Sequence, residues 1–275
     1  MKIILFGSSG MLGSYMKSYL GKIFEVCCFT RDHFDIESSN WQKLNDLLDM
    51  AIKDGDVIIN CAGAIPQRTN DNRYFIILNT IFPIKLNEYA KKKNIKLIHI
   101  TTDCVFSGND GNYNEISPHD SEKIYGITKS LSEEYDMCVI RTSIIGDEKN
   151  NKNSLIEWVK KNRNGQIDGY ANFYWNGVTC LTLSKIVEII IKNNEYWNGV
   201  RHIFSPEKVS KYELCCYINE IYKLNININK IDYPIKNMTL DTIYKNFLSL
   251  YYKIPDIRTQ ILEQYNYPLS QNEQT

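Results

Sequence analysis

The N-terminus combines a short apolar run with three closely spaced glycines. Residues 2–6 have the length and character of a β-strand, Gly7, Gly10 and Gly13 follow at once, and residues 14–22 have the amphipathic pattern of a helix. Glycines between a strand and a helix allow a tight turn and a close approach of backbone to a pyrophosphate, which the helix N-terminus attracts. The expected cofactor contacts here are Gly7, Ser9, Gly10, Met11, Leu12 and Gly13.

Strands and helices alternate through the rest of the first half. Apolar runs at 24–29, 57–61 and 96–101 predict strands, and residues 40–53 and 72–93 predict helices. This alternation predicts an α/β fold with a Rossmann-type, doubly wound parallel sheet. Ligands of such sheets bind beyond the carboxyl ends of the strands.

Two strand ends carry candidate cofactor residues. Small residues at Cys61, Ala62 and Gly63 would let the backbone approach a cofactor, although a compact exit from the strand would need the same residues. Arg31 follows the second strand, where a dinucleotide-binding unit reads the adenosine ribose. An arginine there accommodates a 2′-phosphate, so NADPH is the expected cofactor. Asp32 comes next, which leaves NADH as the alternative.

Tyr125 precedes Lys129 by four residues at the start of a predicted helix. This spacing places both side chains on one helix face. A nearby cation favours the phenolate, so we expect Lys129 to lower the pKa of Tyr125 toward the range useful for proton transfer. With 19 tyrosines in 275 residues, the pair could also be a solvated helix face. The position of this pair after a predicted nucleotide-binding unit favours a catalytic role over a solvated helix face.

These motifs together resemble the extended short-chain dehydrogenase/reductases, and within them the dTDP-4-dehydrorhamnose reductase branch. The likeness rests on the glycine turn, on residues 60–63 (NCAG), 101–108 (TTDCVFSG) and 125–129 (YGITK), and on Arg141-Thr142-Ser143. It implies reduction of the 4-keto group of a nucleotide-linked 4-keto-6-deoxy-hexose, with Thr102, Tyr125 and Lys129 as catalytic residues. It also implies cofactor contacts at Asp35, Ile36 and Asn79, and substrate contacts at Cys104, Phe106, Trp175, Asn176 and Thr179.

Alternative functions remain open within this resemblance. Dehydratases of the superfamily carry a glutamate where this chain has Cys104, which disfavours water elimination. A cysteine there also resembles enzymes that epimerise before reducing, but no histidine occupies the segment 146–150 where their partner histidine lies. Asn176 to Thr179 resembles reductases of UDP-2-acetamido-2,6-dideoxy-hexos-4-uloses. An isomerase with tightly held NAD and a non-catalytic NAD(P)-binding subunit are further hypotheses.

Composition and length support a cytoplasmic enzyme. We expect a dinucleotide-binding domain at 1–150, a mainly substrate-binding region at 151–265 and a flexible tail at 266–275. The 32 basic and 32 acidic residues balance, so we expect no nucleic-acid partner. No apolar window is long enough for a membrane span. The eight cysteines and four histidines lack the spacing of disulfide frameworks or metal sites. The expected partner is a dTDP- or UDP-linked sugar, and a homodimer is compatible with this reading.

Overall fold

The computed structural model describes residues 1–133, 136–149, 152–244, 252–267 and 269. In chain order the strands are β1 (Lys2–Phe6), β2 (Glu25–Phe29), β3 (Val57–Asn60), β4 (Lys96–Thr102), β5 (Cys138–Thr142), β6 (Ile144–Ile145), β7 (Gln166–Tyr170), β8 (Phe173–Trp175), β9 (Val178–Thr179), β10 (Gly199–His202), β11 (Val209–Ser210), β12 (Asn227–Ile231) and β13 (Lys236–Asn237). The α-helices are α1 (Met11–Leu20), α2 (Trp41–Ala51), α3 (Asn72–Ile76), α4 (Phe82–Lys93), α5 (Ile124–Glu133), α6 (Leu155–Lys161), α7 (Cys180–Lys192), α8 (Lys211–Ile221) and α9 (Ile257–Tyr265).

A six-stranded parallel sheet forms the centre of the fold, in the order β10-β5-β4-β3-β1-β2. The chain leaves β1 toward β2 on one side and later builds β3, β4 and β5 on the other. The loops after β1 and β3 therefore diverge at a topological switch point, where doubly wound sheets bind ligands. This topology confirms the predicted α/β fold class.

Two apolar layers cover the faces of the sheet. One contains α1 and α7 and includes Tyr15, Met16 and Leu183. The other contains α2 and α4 and includes Leu44 and Phe82. The inner strands β1, β3, β4 and β5 are buried on both faces, which explains why they appear in the sequence as apolar runs rather than alternating patterns.

The second half of the chain contributes directly to the first domain, so the expected boundary at residue 150 does not divide the structure cleanly. Strand β10 pairs with the outer edge of β5, and α7 packs beside α1. Both have a physical cause: the edge of β5 needs a hydrogen-bonding partner, and the apolar face of α7 needs burial. The rest of this half has its own core, which includes Trp175, Leu214 and Ile261.

The predicted helix at 72–93 is divided by a π-helical turn, Ile77–Ile81, between α3 and α4. The turn carries Asn79, whose buried side chain bonds Ala64 in the neighbouring loop. Single π-helical turns inside α-helices are frequent at functional sites because they redirect a side chain. Apolar periodicity alone does not reveal the extra residue in the turn.

Seven of the ten residues of the expected flexible tail at 266–275 lie outside the described residues. Of its members that are described, Tyr267 packs against α1, where its hydroxyl lies 3.2 Å from that of Ser18. All eight cysteines are free thiols. Among the described helices none has the length and apolarity to cross a bilayer, and the described residues contain no metal-ligating cluster.

Candidate active site

The glycine turn after β1 lies directly against the residues that follow β3. Gly7 has a φ of +77°, and a Cβ atom there would lie 2.6 Å from the backbone nitrogen of Ala62. A Cβ at Gly13 would lie 2.0 Å from the carbonyl oxygen of Gly7. Helix α1 begins at Met11 with no acidic residue in its first turn and no side chain capping it. Its N-terminal N–H groups therefore suit the diphosphate of a dinucleotide.

Thr102 and Tyr125 lie together because α5 packs closely against the end of β4. A Cβ at Gly126 would lie 2.2 Å from the carbonyl oxygen of Cys104, so only glycine permits this approach. The Thr102 hydroxyl donates to Asp103 Oδ1 at 3.2 Å and accepts the N–H of Cys104 at 3.2 Å. It also hydrogen-bonds the Tyr125 phenol. Two of the three residues that the resemblance assigns to catalysis therefore lie side by side.

Lys129 is buried one turn further along α5. Its ammonium lies beside Gly63, where a Cβ would be 2.9 Å from Nζ. Burial lowers the pKa of Lys129 to about 8, although the negative charge of Glu133 opposes that change. Among the described residues, no carboxylate forms an ion pair with this ammonium.

The pKa of Tyr125 differs from our expectation. Burial, followed by the proximity of Cys104, raises the pKa of Tyr125 above its usual value, and the interaction with the Thr102 hydroxyl only partly offsets this. Lys129 is not among the groups that shift it, because the ammonium is directed toward Gly63. The expected lowering of the Tyr125 pKa by Lys129 is therefore wrong for this structure. The phenol keeps its proton at neutral pH.

Asn79 holds the loop after β3 in place beside the site. Its Oδ1 accepts the N–H of Ala64 at 2.8 Å, and its Nδ2 donates to the Ala64 carbonyl at 3.1 Å and to Thr128 Oγ1 at 3.3 Å. The side chain is fully buried and fixes the loop after β3 to α5. Asn79 thus positions the backbone near Gly63 and Lys129.

The buried Arg141 anchors the far end of α5. Its guanidinium donates to Glu133 at 2.5 Å through Nη2 and at 3.1 Å through Nε. It also donates to Nε2 of His119 at 2.6 Å and to Nε2 of His202 at 2.8 Å. Burial, with the charge of Arg141, lowers the pKa of His202 to about 4, so His202 is a neutral acceptor at physiological pH.

A cavity of about 610 Å³ connects the glycine turn with the catalytic residues. The predicted site residues that line it are Gly10, Met11, Leu12, Cys61, Gly63, Thr102, Cys104, Tyr125 and Lys129. Sequence reasoning missed Arg68, Lys123, Ser143 and Glu148, which also line it. Their positions in the loops after β3, β5 and β6 and just before α5 were the available signal, since ligands bind at the carboxyl edge of the sheet.

Four predicted substrate residues do not reach this cavity. Trp175 is 2% exposed and lies in the core of the second half. Asn176 exchanges two hydrogen bonds with the backbone of Leu240, and Thr179 caps α7 by accepting the N–H of Thr182. Phe106 is also buried, stacked on Tyr113 at 4.2 Å. These substrate assignments are corrected to structural roles, because burial and capping already engage the side chains.

The residues after β2 lie outside the cavity lining. Arg31 contacts the Tyr74 hydroxyl at 2.5 Å and Glu37 at 3.6 Å, and its side chain is 72% exposed. Asp35 caps the 3₁₀ helix Ile36–Ser38 by accepting the N–H of Glu37. Arg31 is therefore free to reorient toward a ligand at the tip of β2.

Asp103 and Cys104 share a buried environment with a cation that sequence reasoning missed. Burial raises the pKa of Asp103, while Ser143 and Lys211 oppose the change. Burial, with the neighbouring Asp103, raises the pKa of Cys104 to about 12. Lys211 comes from the start of α8 and lies 5.0 Å above the Trp175 ring. The Cys104 thiol is therefore protonated at neutral pH and a poor base.

Comparisons with known proteins agree with this architecture. A family model described as the RmlD substrate binding domain matches residues 1–237. A dTDP-4-dehydrorhamnose reductase of Mycobacterium tuberculosis is 28% identical over 117 residues, which are 40% of this chain and 35% of the relative. The chain thus matches about a third of the length of that curated relative.

Solved structures share the whole fold. A dTDP-4-dehydrorhamnose reductase of Clostridium acetobutylicum superposes with a TM-score of 0.80 and 21% identity, over 97% of this chain and 99% of the other. A dTDP-4-dehydrorhamnose reductase of Bacillus anthracis, in complex with NADP, gives a TM-score of 0.81 and 20% identity over 97% and 98%. At these identities the likeness shows the fold.

Proposed function

The chain belongs to the RmlD substrate binding domain family, and from this membership we propose that it is an NADPH-dependent reductase of the 4-keto group of a nucleotide-linked 4-keto-6-deoxy-hexose. The observation that carries the proposal is the convergence of Thr102, Tyr125 and Lys129 on one cavity with the glycine turn. The turn and the N-terminus of α1 suit a dinucleotide, and the other three residues suit a carbonyl.

The cofactor contacts are proposed from the sequence and from the shape of the turn. Side chains at Gly7 or Gly13 would collide with backbone, so the turn can serve as a close cradle for a diphosphate. The exposed Arg31 is the proposed partner of a 2′-phosphate, which favours NADPH over NADH. The full proposed set is Gly7, Ser9, Gly10, Met11, Leu12, Gly13, Arg31, Asp35, Ile36, Cys61, Ala62, Gly63, Asn79 and Lys129.

The proposed chemistry requires little beyond proton transfer and positioning from the protein. The nicotinamide supplies the hydride when it is bound. Tyr125, whose raised pKa keeps the phenol protonated, donates its proton to the carbonyl oxygen. Thr102 can turn its hydroxyl from Asp103 toward the same oxygen and stabilise the developing negative charge. Lys129 adds a buried positive charge beside Gly63.

Residues from both halves of the chain form the proposed substrate site. Cys104 lies on the cavity wall beside the proposed proton donor, and Asn153, Ser154 and Leu155 from the second half complete that wall. This supports a substrate position between the expected region 151–265 and the sheet. The neutral Cys104 thiol argues against an added epimerase step, which needs a base.

The test follows NADPH absorbance with purified protein and two 4-keto-6-deoxy substrates, one dTDP-linked and one UDP-linked with a 2-acetamido group. We expect oxidation with one of them, and a loss of about 10²- to 10⁴-fold in kcat for Tyr125→Phe. Tyr233→Phe, at a tyrosine that is 78% exposed, is the matched control. Measurable NADPH binding without oxidation of either substrate would refute the reductase and favour an isomerase or a non-catalytic subunit.

A further inference from the structure

Arg68 and Glu148, which are 80 residues apart in the sequence, meet on the wall of the cavity. Arg68 follows β3 and Glu148 follows β6, and both line the cavity. Arg68 Nη2 lies 3.2 Å from Glu148 Oε1. The arginine side chain is 35% exposed and the glutamate side chain only 5%. The pair therefore presents a partly exposed guanidinium held by a buried carboxylate.

Glu148 does not depend on Arg68 for its position. Its Oε2 accepts the backbone N–H groups of Asn153 at 2.5 Å and Ser154 at 2.9 Å. Backbone donors thus fix one oxygen of the carboxylate at the start of α6, and only the other oxygen faces Arg68. Removal of the arginine would leave the carboxylate hydrogen-bonded.

Arg68 has unused hydrogen-bonding capacity. A guanidinium carries five N–H donors, and the contact with Glu148 engages one of them. Within the described residues the other donors have no protein acceptor. Arginine is the side chain best suited to phosphate, because its planar fork can form two parallel charge-assisted hydrogen bonds.

The proposed reaction brings two diphosphates into this region, one in the dinucleotide and one in the sugar nucleotide. The N-terminus of α1 suits the first. The basic side chains on the cavity wall are Arg68, Lys123 and Lys129. Lys129 is placed beside Gly63, and Lys123 is exposed just before α5. Arg68 is therefore the best-placed partner for a second diphosphate.

Resting on the proposed function, we propose that Arg68 binds the diphosphate of the sugar nucleotide, with Glu148 orienting the guanidinium toward the cavity. The phosphate oxygens would accept the N–H groups that the contact with Glu148 leaves unused. The cofactor carries the same diphosphate chemistry, so the experiment must separate the two ligands. No bond is made or broken in this role, and Arg68 acts in binding alone.

The test compares wild type, Arg68→Gln and the control Arg163→Gln, whose guanidinium bonds the Lys223 carbonyl on the surface. Calorimetric titration with dTDP, dTMP, UDP and UMP measures nucleotide affinity, and fluorescence titration measures NADPH affinity. We expect Arg68→Gln to weaken binding of the diphosphate of the preferred base by about 10- to 100-fold, the size of a lost charge-assisted hydrogen bond. Binding of the monophosphates and of NADPH should stay unchanged.

Three results would overturn the proposal. They are unchanged diphosphate binding in Arg68→Gln, a loss of NADPH affinity instead, and a failure of the wild type to bind either nucleoside diphosphate. Glu148→Gln tests the orienting role of Glu148, because it should weaken diphosphate binding by less than Arg68→Gln does. A loss as large as that in Arg68→Gln would be a fourth result against direct contact between Arg68 and the diphosphate. These binding assays need no turnover, so an inactive protein that shows the Arg68 effect would reject the reductase and keep the diphosphate site.

Discussion

Replacing Lys129 by methionine should stabilise the protein while abolishing its proposed activity. Lys129 is 6% exposed, and burial lowers its pKa from 10.5 to about 8. At pH 7 the side chain is charged in both the folded and the unfolded protein, but only the folded protein must bury that charge. Methionine has a similar length and no charge, so it removes this cost.

The magnitude follows from the two pKa values of Lys129. The pKa of Lys129 is about 2.5 lower in the folded protein than in the unfolded chain, and a pKa difference of one corresponds to about 1.36 kcal/mol. The buried charge therefore costs about 3 kcal/mol at pH 7. A folded-state pKa below the unfolded one means that the unfolded chain holds more protons between pH 8 and 10.5. The wild type therefore gains stability as pH rises through that window, and the cost falls to about 2 kcal/mol at pH 9.

The assay is urea denaturation of wild type and Lys129→Met at pH 7 and pH 9. The expected stability advantage of the variant declines by about 1 kcal/mol between the two pH values. This decline is more informative than the advantage itself, because any packing difference between the two side chains is the same at both pH values. Lys43→Met, at an exposed lysine, controls for the general effect of removing a lysine.

A constant difference between Lys129→Met and wild type across this pH range would refute the reasoning. It would mean that Lys129 titrates in the folded protein where it does in the unfolded chain. A less stable variant whose deficit is independent of pH would lead to the same conclusion.

Three further predictions test the surroundings of the site. Gly126→Ala places a Cβ 2.2 Å from the Cys104 carbonyl oxygen, so we expect about 1–3 kcal/mol of destabilisation in thermal denaturation and a lower kcat as Tyr125 moves. Arg141→Met leaves Glu133 buried without its partner and should cost about 3–5 kcal/mol by chemical denaturation, much of it recovered on adding Glu133→Leu. Because the Cys104 thiol is protonated, Cys104→Ser should keep the reductase activity. For the same reason, the product that the wild type forms in heavy water should carry no deuterium on the carbons next to C4. Deuterium at those carbons would support an epimerase.

Most of the central sheet could be predicted because its signals are local. Apolar runs bounded by glycine or polar residues gave β1 to β4 within about two residues, and the alternation with helices gave parallel pairing. The place of β10 could not be predicted, because pairing with β5 is a contact between distant parts of the chain. The π-helical turn around Asn79 also escaped notice, since one extra residue barely disturbs the apolar periodicity.

The site separates into a part fixed by spacing and a part fixed by packing. The contact of Tyr125 with Thr102 depends on local helix and strand geometry together with a glycine at 126, so the motifs indicated both residues, although not the contact between them. Trp175 and Thr179 were expected at the substrate because their segments resemble those of the family. The fold uses them instead as a core residue and a helix cap. Sequence cannot separate these uses, because both favour the same residue types.

Strand β10 is synthesised well after β5, the strand whose outer edge it covers. Strand β5 ends at Thr142, and the strand that covers its outer edge ends about 60 residues later, at His202. At synthesis rates of about 5–20 residues per second, that edge stays uncovered for roughly 3–12 seconds on each nascent chain. An uncovered strand edge is a template for pairing with other chains. The growing polypeptide is therefore most vulnerable to aggregation, and most dependent on chaperones, during that interval.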